Sequence, residues 1–217
     1  MSDVLRIVAA LAAAYLIGGV PFALIVGKLG YRTDVREHGS GNLGGTNVYR
    51  VLGWKAGLLT ALGDIAKGAV AVFLARLVAP PGLSAAGVDW VSLGAAVAAI
   101  AGHSYTPYAG FRGGKGVATA GGTIIVLTPL TFPVLVVTFV AVIALSRYVS
   151  AGSVTAAAVY APLVALLYPG RVPLIVFAGG AAALVIFRHI SNVRRILRGE
   201  ERRIEWTPRG TRNGEGR

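Results

Sequence analysis

The sequence predicts an all-α membrane protein, a polytopic helix bundle of about seven transmembrane helices. Of its 217 residues, 55% are hydrophobic and only 14% are charged, and the mean hydropathy is +0.68. Soluble domains carry a charged fraction nearer one-quarter. Apolar windows near the roughly 20 residues that cross a bilayer recur along almost the whole chain. Little room is left for a separate soluble domain, so any site must be built from the membrane unit itself.

Seven apolar stretches, each bounded by charge, glycine or proline, are predicted to be the spans. They cover residues 4–27, 55–79, 88–103, 116–128, 130–146, 153–168 and 171–188. The first is expected to be retained and not cleaved, because no polar cleavage region follows a short apolar core. The third and fourth are short for a full crossing, so one or both are expected to be partial helices packed inside the bundle.

Positively charged residues predict how the bundle is oriented. Most lysines and arginines fall in alternate connections and in the C-terminal segment, where nine arginines lie from Arg188 onwards. The other side keeps only Arg6, Arg76 and Arg171. Because positive flanks mark the cytoplasmic side, we expect an outside N-terminus and a cytoplasmic C-terminus. Residues 1–198 are predicted to form the membrane domain, and 199–217 a polar, mobile cytoplasmic tail without a catalytic part.

Composition also excludes several kinds of chemistry. The chain has no cysteine, so acyl transfer cannot pass through a cysteine thioester. Its three histidines and nine acidic residues form no HExxH or paired-aspartate motif, so neither a metal nor another cofactor is expected. The net charge of +12 is explained by topology, and no recognition motif accompanies it to indicate a nucleic-acid partner.

The first polar cluster, residues 38–50, has almost no apolar content. Its glycines let the backbone approach a ligand, and its serine, asparagine and threonine side chains offer neutral hydrogen bonds. An ordinary turn between helices is shorter than these thirteen residues, so we interpret the cluster as part of a site. The candidate residues are Ser40, Gly41, Asn42, Thr46, Asn47 and Arg50.

The second cluster, residues 102–119, contains the glycine-rich tract 110–116 directly before a predicted helix. Backbone amides and the positive end of the helix then converge, which suits phosphate oxygens. The tract is not a Walker A loop, because Ala109 occupies the first glycine position and Gly116 replaces the hydroxyl residue. In a chain with 17 arginines and four lysines, a lysine in this tract indicates a need for a compact ammonium. The candidates are His103, Gly113, Gly114, Lys115 and Gly116.

Two further groups complete the candidate set. Asp64 and Lys67 lie three residues apart on one face of the second span, and buried charges in a membrane are functional candidates by default. They either neutralise each other as a structural pair or contact substrate directly, and the sequence leaves both open. His189 and Asn192, where the last span leaves the apolar layer, also share a helix face.

Together these clusters resemble the bacterial acyl-phosphate-dependent glycerol-3-phosphate acyltransferases. The resemblance rests on residues 40–47, on 102–103 with 111–119, and on 189–195, in the same order and over nearly the whole chain. Gly45 stands where alanine is common in that family, and Ile190 and Ser191 fill a variable pair. The family's serine after the fifth span matches Ser150 or Ser153, of which we select Ser153.

The resemblance implies transfer of a fatty acyl group from acyl phosphate to the 1-hydroxyl of glycerol 3-phosphate. The products would be lysophosphatidic acid and phosphate, in the first step of phospholipid biosynthesis. The site would face the cytoplasm at a bacterial inner membrane, and partnership with the enzyme that supplies acyl phosphate stays open. The resemblance implies no cofactor.

Both implied substrates carry phosphate, which fits two glycine-rich clusters, and the acyl chain fits a site in a bilayer. Acyl phosphate has a good leaving group, so we hypothesise direct attack by the glycerol hydroxyl without a covalent intermediate. The proton acceptor is either His189 or a phosphate oxygen of the substrate. We assign catalysis to Ser40, Asn42, Lys115 and His189. We assign substrate binding to Gly41, Thr46, Asn47, Arg50, Lys67, His103, Gly113, Gly114, Gly116, Ser153 and Asn192.

A transporter of a phosphorylated solute is the main alternative, since spans interrupted by glycine and proline also occur in carriers. Against it, the polar groups crowd toward one face, and no two halves of the sequence look alike. A scaffold that only gathers lipid enzymes would leave the phosphate-binding pattern unexplained.

Overall fold

The computed structural model describes residues 2–204, and every regular element in that part of the chain is helical. The all-α prediction is confirmed there. The helices are α1 Asp3–Gly19, α2 Phe22–Ile25, α3 Gly45–Leu52, α4 Trp54–Leu77, α5 Ala85–Ser104, α6 Val117–Leu127, α7 Thr131–Ser146, α8 Val149–Leu167, α9 Val172–Arg188 and α10 Ile190–Leu197. A π-helical turn, Val26–Gly30, follows α2, and a short 3-10 turn, Pro107–Ala109, follows α5.

Several of these helices are long and apolar enough to cross a membrane. Four stretches meet that condition within residues 2–204: Asp3–Gly30, Trp54–Leu77, Ala85–Ala109 and Val149–Leu167. Helices α9 and α10 meet it together, although they are bent by 52° at their junction. Helices α6 and α7 are apolar but shorter, with 11 and 16 residues. Of the two spans expected to be partial, α6 is short, whereas α5 extends over 20 residues.

Two local features differ from the sequence-based expectations. The predicted first span is interrupted after Gly19, because Pro21 has no N–H with which to continue the helix. The predicted first loop also contains a helix, α3, which begins at Gly45. Its few apolar residues gave no helical periodicity to detect, and its single buried aliphatic side chain, Val48, packs against the loop in front of it.

Small residues let the helices that support the site approach each other closely. A side chain added at Gly102 on α5 would collide with the backbone of Tyr15 on α1. One added at Gly68 on α4 would collide with the backbone of Thr119 on α6. Close backbone contact of this kind is how helices associate in lipid, where no hydrophobic force drives them together. The connection between α5 and α6 is therefore anchored at both ends.

A buried carboxylate ties the bundle together at the end of α5 away from the site. Asp89 is 1% exposed and accepts hydrogen bonds from Arg171 Nε at 2.9 Å and Nη2 at 2.5 Å. Arg76 on α4 lies 3.7 Å from the same carboxylate and donates to the carbonyl of Val126 at 2.9 Å. Pairing with two arginines meets the condition under which a charge can be buried.

Residues 199–204, the first part of the predicted mobile tail, return to the bundle. The Ile204 amide donates to the carbonyl of Arg147 at 2.8 Å, between α7 and α8. This part of the chain differs from the expectation, because a basic, polar segment gains hydrogen bonds by folding back over the polar end of the bundle. Residues 205–217 lie outside the described residues, so their mobility stays a prediction.

Candidate active site

A cavity of about 750 Å³ lies between α3, α4, α6, α7, α8 and α9, polar at one end and apolar at the other. Its polar end is formed by the clusters that the sequence singles out, brought together from distant parts of the chain. Eleven of the predicted site residues line it: Ser40, Asn42, Thr46, Asn47, Arg50, His103, Lys115, Gly116, Ser153, His189 and Asn192. The apolar end includes Ile124, Phe132, Leu135, Phe139, Ile143, Ala156, Ala157, Tyr160, Ala182 and Val185.

Asn47 on α3 holds the first polar loop in shape. Its amide Nδ2 donates to the carbonyls of Val35 at 2.9 Å and His38 at 3.2 Å. Its Oδ1 accepts from the Ser40 amide at 2.8 Å and the Ser40 hydroxyl at 3.1 Å. The Asn47 side chain is 2% exposed, so its polar atoms are used by the protein. Asn47 thus supports the loop and fixes where Ser40 stands at the cavity.

The glycine-rich loop before α6 packs too tightly for larger residues. A side chain at Gly113 would collide with the backbone of His103, and one at Gly114 with the His103 ring. The Gly114 amide donates to the His103 carbonyl at 3.2 Å, and Arg188 donates to the Gly114 carbonyl at 3.0 Å. Gly116 then begins α6 with φ at 80°, a left-handed conformation that favours glycine. The loop is thus fixed so that Lys115 and the start of α6 face the cavity.

Lys115 reaches across the cavity to the last described helix. Its Nζ donates a hydrogen bond to Asn192 Oδ1 on α10. The Asn192 amide in turn donates to Glu201 Oε1 at 2.7 Å. Glu201 also accepts from the Ser150 hydroxyl at 3.0 Å and, through Oε2, from Arg195 Nε at 2.8 Å. These five residues form one hydrogen-bonded unit.

The charge around Lys115 favours an anionic ligand. Burial lowers the pKa of the Lys115 ammonium to about 8, while the charge of Glu201 acts to raise it. Three neighbouring guanidinium groups lower the same pKa further, those of Arg195, Arg188 and Arg50. Positive charges therefore outnumber Glu201 here, and a bound phosphate would relieve their mutual repulsion.

Glu201 is a buried acid that remains ionised. It is 8% exposed, and burial alone would raise its pKa. The hydrogen bonds from Asn192, Arg195 and Ser150 lower that pKa by more, so the net pKa lies below its ordinary value. An ionised Glu201 can therefore hold Asn192, Ser150 and Arg195 in fixed positions at neutral pH.

His189 lies at the break between α9 and α10 and is 4% exposed. Its Nδ1 is 2.8 Å from the carbonyl of Val185. Because a carbonyl oxygen can only accept, this contact assigns the proton to Nδ1 and leaves the lone pair on Nε2. His189 lines the cavity, so a basic imidazole nitrogen is available beside Lys115 and Asn192.

The Asp64, Lys67 and His103 side chains form a buried triad behind the polar loops. Lys67 Nζ is 2.6 Å from Asp64 Oδ1, 2.9 Å from His103 Nδ1 and 2.8 Å from the carbonyl of Val20. Its three donor positions are taken by protein, and Lys67 is not among the cavity-lining residues. For Lys67 this geometry favours a structural role in an ion pair extended to His103, whereas Asp64 and His103 both line the cavity.

The predicted set and the observed set differ in both directions. Four predicted residues lie behind the lining rather than in it: Gly41, Lys67, Gly113 and Gly114. Sequence reasoning missed Glu201 and Arg195, both of which line the cavity. The only signal for Glu201 was an acidic pair, Glu200 and Glu201, within an otherwise basic segment. Ser150 and Ser153 both line the cavity, with Ser150 bonded to Glu201.

The family profile described as glycerol-3-phosphate acyltransferase matches residues 8–199. The chain belongs to this family. Its resemblance to the glycerol-3-phosphate acyltransferases is therefore confirmed, and the bundle is that of an integral membrane acyltransferase.

Related acyltransferases match over nearly their full lengths. The glycerol-3-phosphate acyltransferase of Geobacillus kaustophilus (strain HTA426) is 46% identical over 193 residues, covering 89% of this chain and 93% of that protein. That of Listeria monocytogenes serovar 1/2a is 45% identical over 196 residues, covering 89% and 94%.

Solved structures of a family member share the same bundle. The glycerol 3-phosphate form of PlsY (YgiH), an integral membrane glycerol 3-phosphate acyltransferase, superposes with a TM-score of 0.80 at 34% identity. The match covers 92% of this chain and 96% of that chain. The lysophosphatidic acid form gives the same TM-score and identity. The solved structures of PlsY (YgiH) are thus a glycerol 3-phosphate form and a lysophosphatidic acid form of this architecture.

Within residues 2–204, no group of three histidine, aspartate or glutamate side chains is arranged to hold a metal ion. The candidate acyltransferase site offers a lysine, arginines, hydroxyl and amide groups, and the imidazoles of His103 and His189. Such a set can bind phosphate, stabilise an oxyanion and accept a proton.

Proposed function

We propose that this protein transfers a fatty acyl group from acyl phosphate to the 1-hydroxyl of glycerol 3-phosphate. The products are lysophosphatidic acid and inorganic phosphate, which places the reaction at the start of phospholipid biosynthesis. The observation that carries the proposal is one continuous cavity with Lys115, His189 and Ser40 at its polar end and an apolar slot between α6, α7 and α8 beyond them. A water-soluble phosphate and a fatty tail can occupy the two ends at once.

Lys115 and its arginine neighbours supply the charge that two phosphorylated substrates need. Lys115 and Arg50 both line the polar end, and Asn192 and Ser150 beside them are held in position by Glu201. An ammonium and guanidinium groups in a partly desolvated pocket make strong hydrogen bonds to phosphate oxygens. The start of α6 directs its first backbone amides to the same place.

The chemical step needs no covalent enzyme intermediate. The glycerol 1-hydroxyl oxygen forms a bond to the acyl carbon, and the bond from that carbon to the phosphate oxygen breaks. The electron pair of the broken bond stays with the departing phosphate, and Lys115 stabilises the negative charge that the phosphate gains. Ser40, Asn42 and the loop amides orient the acyl phosphate and stabilise the oxyanion at the carbonyl.

His189 is the proton acceptor in this scheme. Its Nδ1–H is fixed on the Val185 carbonyl, so Nε2 is free to receive the hydroxyl proton. The protonated ring keeps that hydrogen bond, and so the step requires no reorientation. A phosphate oxygen of the substrate is the alternative acceptor, and replacement of His189 separates the two.

We further propose seven crossings, with the polar end of the cavity on the cytoplasmic side of a bacterial inner membrane. The loops that form this end carry most of the positive residues, whereas the opposite end carries Arg76 and Arg171.

Because the chain has no cysteine, single cysteines can map the topology. Arg112→Cys should react with an impermeant thiol reagent only from the cytoplasmic side, and Pro81→Cys only from outside; the reverse labelling would contradict this orientation.

The donor and the reaction are tested together with purified protein in detergent. Palmitoyl phosphate, palmitoyl-CoA and palmitoyl-acyl carrier protein are supplied in parallel with glycerol 3-phosphate, and phosphate and lysophosphatidic acid are measured. We expect both products, in equal amounts, from palmitoyl phosphate alone. Lysophosphatidic acid formed from either thioester but not from palmitoyl phosphate would overturn the assignment of acyl phosphate as the donor.

Solute uptake by sealed vesicles without product in detergent would indicate a transporter. An enzyme that hands on acyl phosphate would be a partner, detectable as faster turnover in a coupled reaction.

A further inference from the structure

Helix α6 carries two adjacent glycines with different surroundings. A side chain at Gly122 would collide with the backbone carbonyl of Ile65 on α4, so glycine is needed there for close helix packing. A methyl group at Gly121 would meet only the ring of Phe132, whose Cε2 would lie 3.8 Å away, an ordinary van der Waals contact. Glycine weakens a helix relative to alanine. Packing therefore explains Gly122 but gives no reason for Gly121.

Gly121 instead leaves space within the cavity. It lines the cavity on α6, and Phe132 on α7 lines the cavity next to it. Both residues are only partly buried, because they face this opening. Beyond them the cavity continues to Tyr160 on α8, whose buried hydroxyl is 3.0 Å from the Thr128 hydroxyl. Gly121 thus leaves the cavity open, beside Phe132, between its polar end and a deeper apolar part.

The position of Gly121 along the cavity corresponds to a particular part of an acyl chain. Gly121 lies five residues beyond Gly116, about 7.5 Å along the helix axis at 1.5 Å per residue. Carbon–carbon bonds of about 1.5 Å at angles near 111° advance an extended chain by roughly 1.25 Å per carbon. A chain whose carbonyl lies at the glycine loop therefore passes Gly121 near its sixth carbon.

We propose that Gly121, facing Phe132, is a specificity-determining residue that admits long acyl chains to the deeper part of the cavity. This inference rests on the proposed acyl-phosphate reaction and names how its donor is selected. A side chain at position 121 would narrow the passage. Acyl phosphates too short to reach position 121 would still react, whereas longer ones would be excluded.

Gly121→Leu tests this with two donors, butyryl phosphate and palmitoyl phosphate, each with glycerol 3-phosphate. The matched control is Gly179→Leu on α9, because Gly179 is exposed, has no atom within 4 Å of an added Cβ and does not line the cavity. We expect Gly121→Leu to keep kcat/KM for butyryl phosphate within about two-fold of wild type and to lose at least ten-fold for palmitoyl phosphate. The control should change neither.

Two further variants make the result decisive. Gly121→Ala should fold as wild type and show a smaller loss confined to the long donor. Phe132→Ala added to Gly121→Leu should restore palmitoyl phosphate turnover, because removing the ring next to position 121 returns space to the cavity. Equal losses with both donors, an unchanged ratio of their kcat/KM values in Gly121→Ala and Gly121→Leu, or no rescue by Phe132→Ala would overturn the inference. If wild type releases phosphate from neither donor, the proposed acyl-phosphate reaction itself is wrong. This outcome differs from those that contradict only the role of Gly121 in chain-length selection.

Discussion

Lys115 Nζ donates a hydrogen bond to Asn192 Oδ1, joining the glycine-rich loop to α10 across 77 residues of sequence. Asn192 in turn donates a hydrogen bond to Glu201, which also accepts hydrogen bonds from Arg195 and Ser150. A change at any of these positions should therefore alter the electrostatic environment of the Lys115 ammonium. The polar end of the cavity acts as one electrostatic unit, and its titration can be followed through the rate.

The first prediction concerns the pH dependence of the rate. Lys115 is cationic below its lowered pKa of about 8, and only the cation binds phosphate well. We expect kcat/KM for glycerol 3-phosphate to fall as pH rises through about 8. In the bound complex, substrate phosphate favours the cation, so the fall in kcat should lie at higher pH. Rates measured in detergent from pH 6 to 10 give both profiles; a kcat/KM that stays level to pH 10 would exclude Lys115 as the titrating group.

The second prediction separates the shape of Lys115 from its charge. Lys115→Arg keeps a cation but brings a planar, forked group into a tight glycine loop, so activity should fall on the order of 100-fold, similar to loss of one donor to a developing charge. The remaining activity should no longer fall at high pH, the part of the pH profile called the basic limb below, because a guanidinium group stays charged across the measured pH range. Lys55→Arg is the matched control, since Lys55 is exposed on α4 and lies outside the cavity. Wild-type turnover in Lys115→Arg would remove Lys115 from the site.

The third prediction concerns the proton acceptor. His189→Ala should lower kcat roughly 100- to 10,000-fold if its Nε2 accepts the hydroxyl proton, the range typical of general-base removal. A clearly smaller loss would assign the proton to the substrate phosphate. His38→Ala serves as the control, because the His38 side chain is exposed and only its carbonyl supports the first loop. Single-turnover kinetics would show whether the loss falls on the chemical step.

The fourth prediction concerns Asn47, which supports the first loop. Asn47→Ala leaves the Val35 carbonyl and the Ser40 amide without their partner, while the His38 carbonyl keeps the Gly41 amide, at a cost of about 1–3 kcal/mol of unfolding free energy. Because Ser40 then moves, KM for acyl phosphate should rise as well. Asn47→Asp keeps the acceptor for Ser40 but loses both donors, so its effect on KM should be the smaller one. Thermal unfolding in detergent and initial rates measure the two effects; a larger rise in KM for Asn47→Asp would contradict the assigned contacts.

Much of this architecture could be predicted from local sequence pattern. Apolar stretches bounded by glycine and proline gave helices close to those observed, and Trp54–Leu77 differs from the predicted 55–79 by a few residues. The polar clusters were expected to meet because alternate connections of a bundle lie on the same side. Lys115, His189 and Ser40 do line one cavity.

Other features could not be predicted, for identifiable physical reasons. The apolar helices are hydrophobic on every face, so their sequences do not distinguish lipid-facing residues from cavity residues such as Phe132 and Tyr160. Lys67 is adjacent to site residues in space, but its donors are taken by Asp64, His103 and the Val20 carbonyl. The position of that carbonyl follows from the break at Pro21. Glu201 was overlooked because polarity alone suggested a solvated tail, whereas partners from α8 and α10 compensate its burial.

The last prediction tests that overlooked acid. Glu201→Gln keeps a side chain of similar size but removes the negative charge that raises the pKa of Lys115, so the basic limb of the kcat/KM profile should move below its wild-type position. The charge-assisted bonds to Asn192 and Arg195 also weaken, and we expect a loss of activity of about ten-fold, since such bonds contribute about 1.5–3 kcal/mol. Glu200→Gln is the matched control, because Glu200 is exposed and does not line the cavity. A general loss of folding would lower the rate without moving the limb, whereas a change in electrostatics must move it. An unshifted limb in a folded Glu201→Gln protein would therefore show that Lys115 and Glu201 are not coupled.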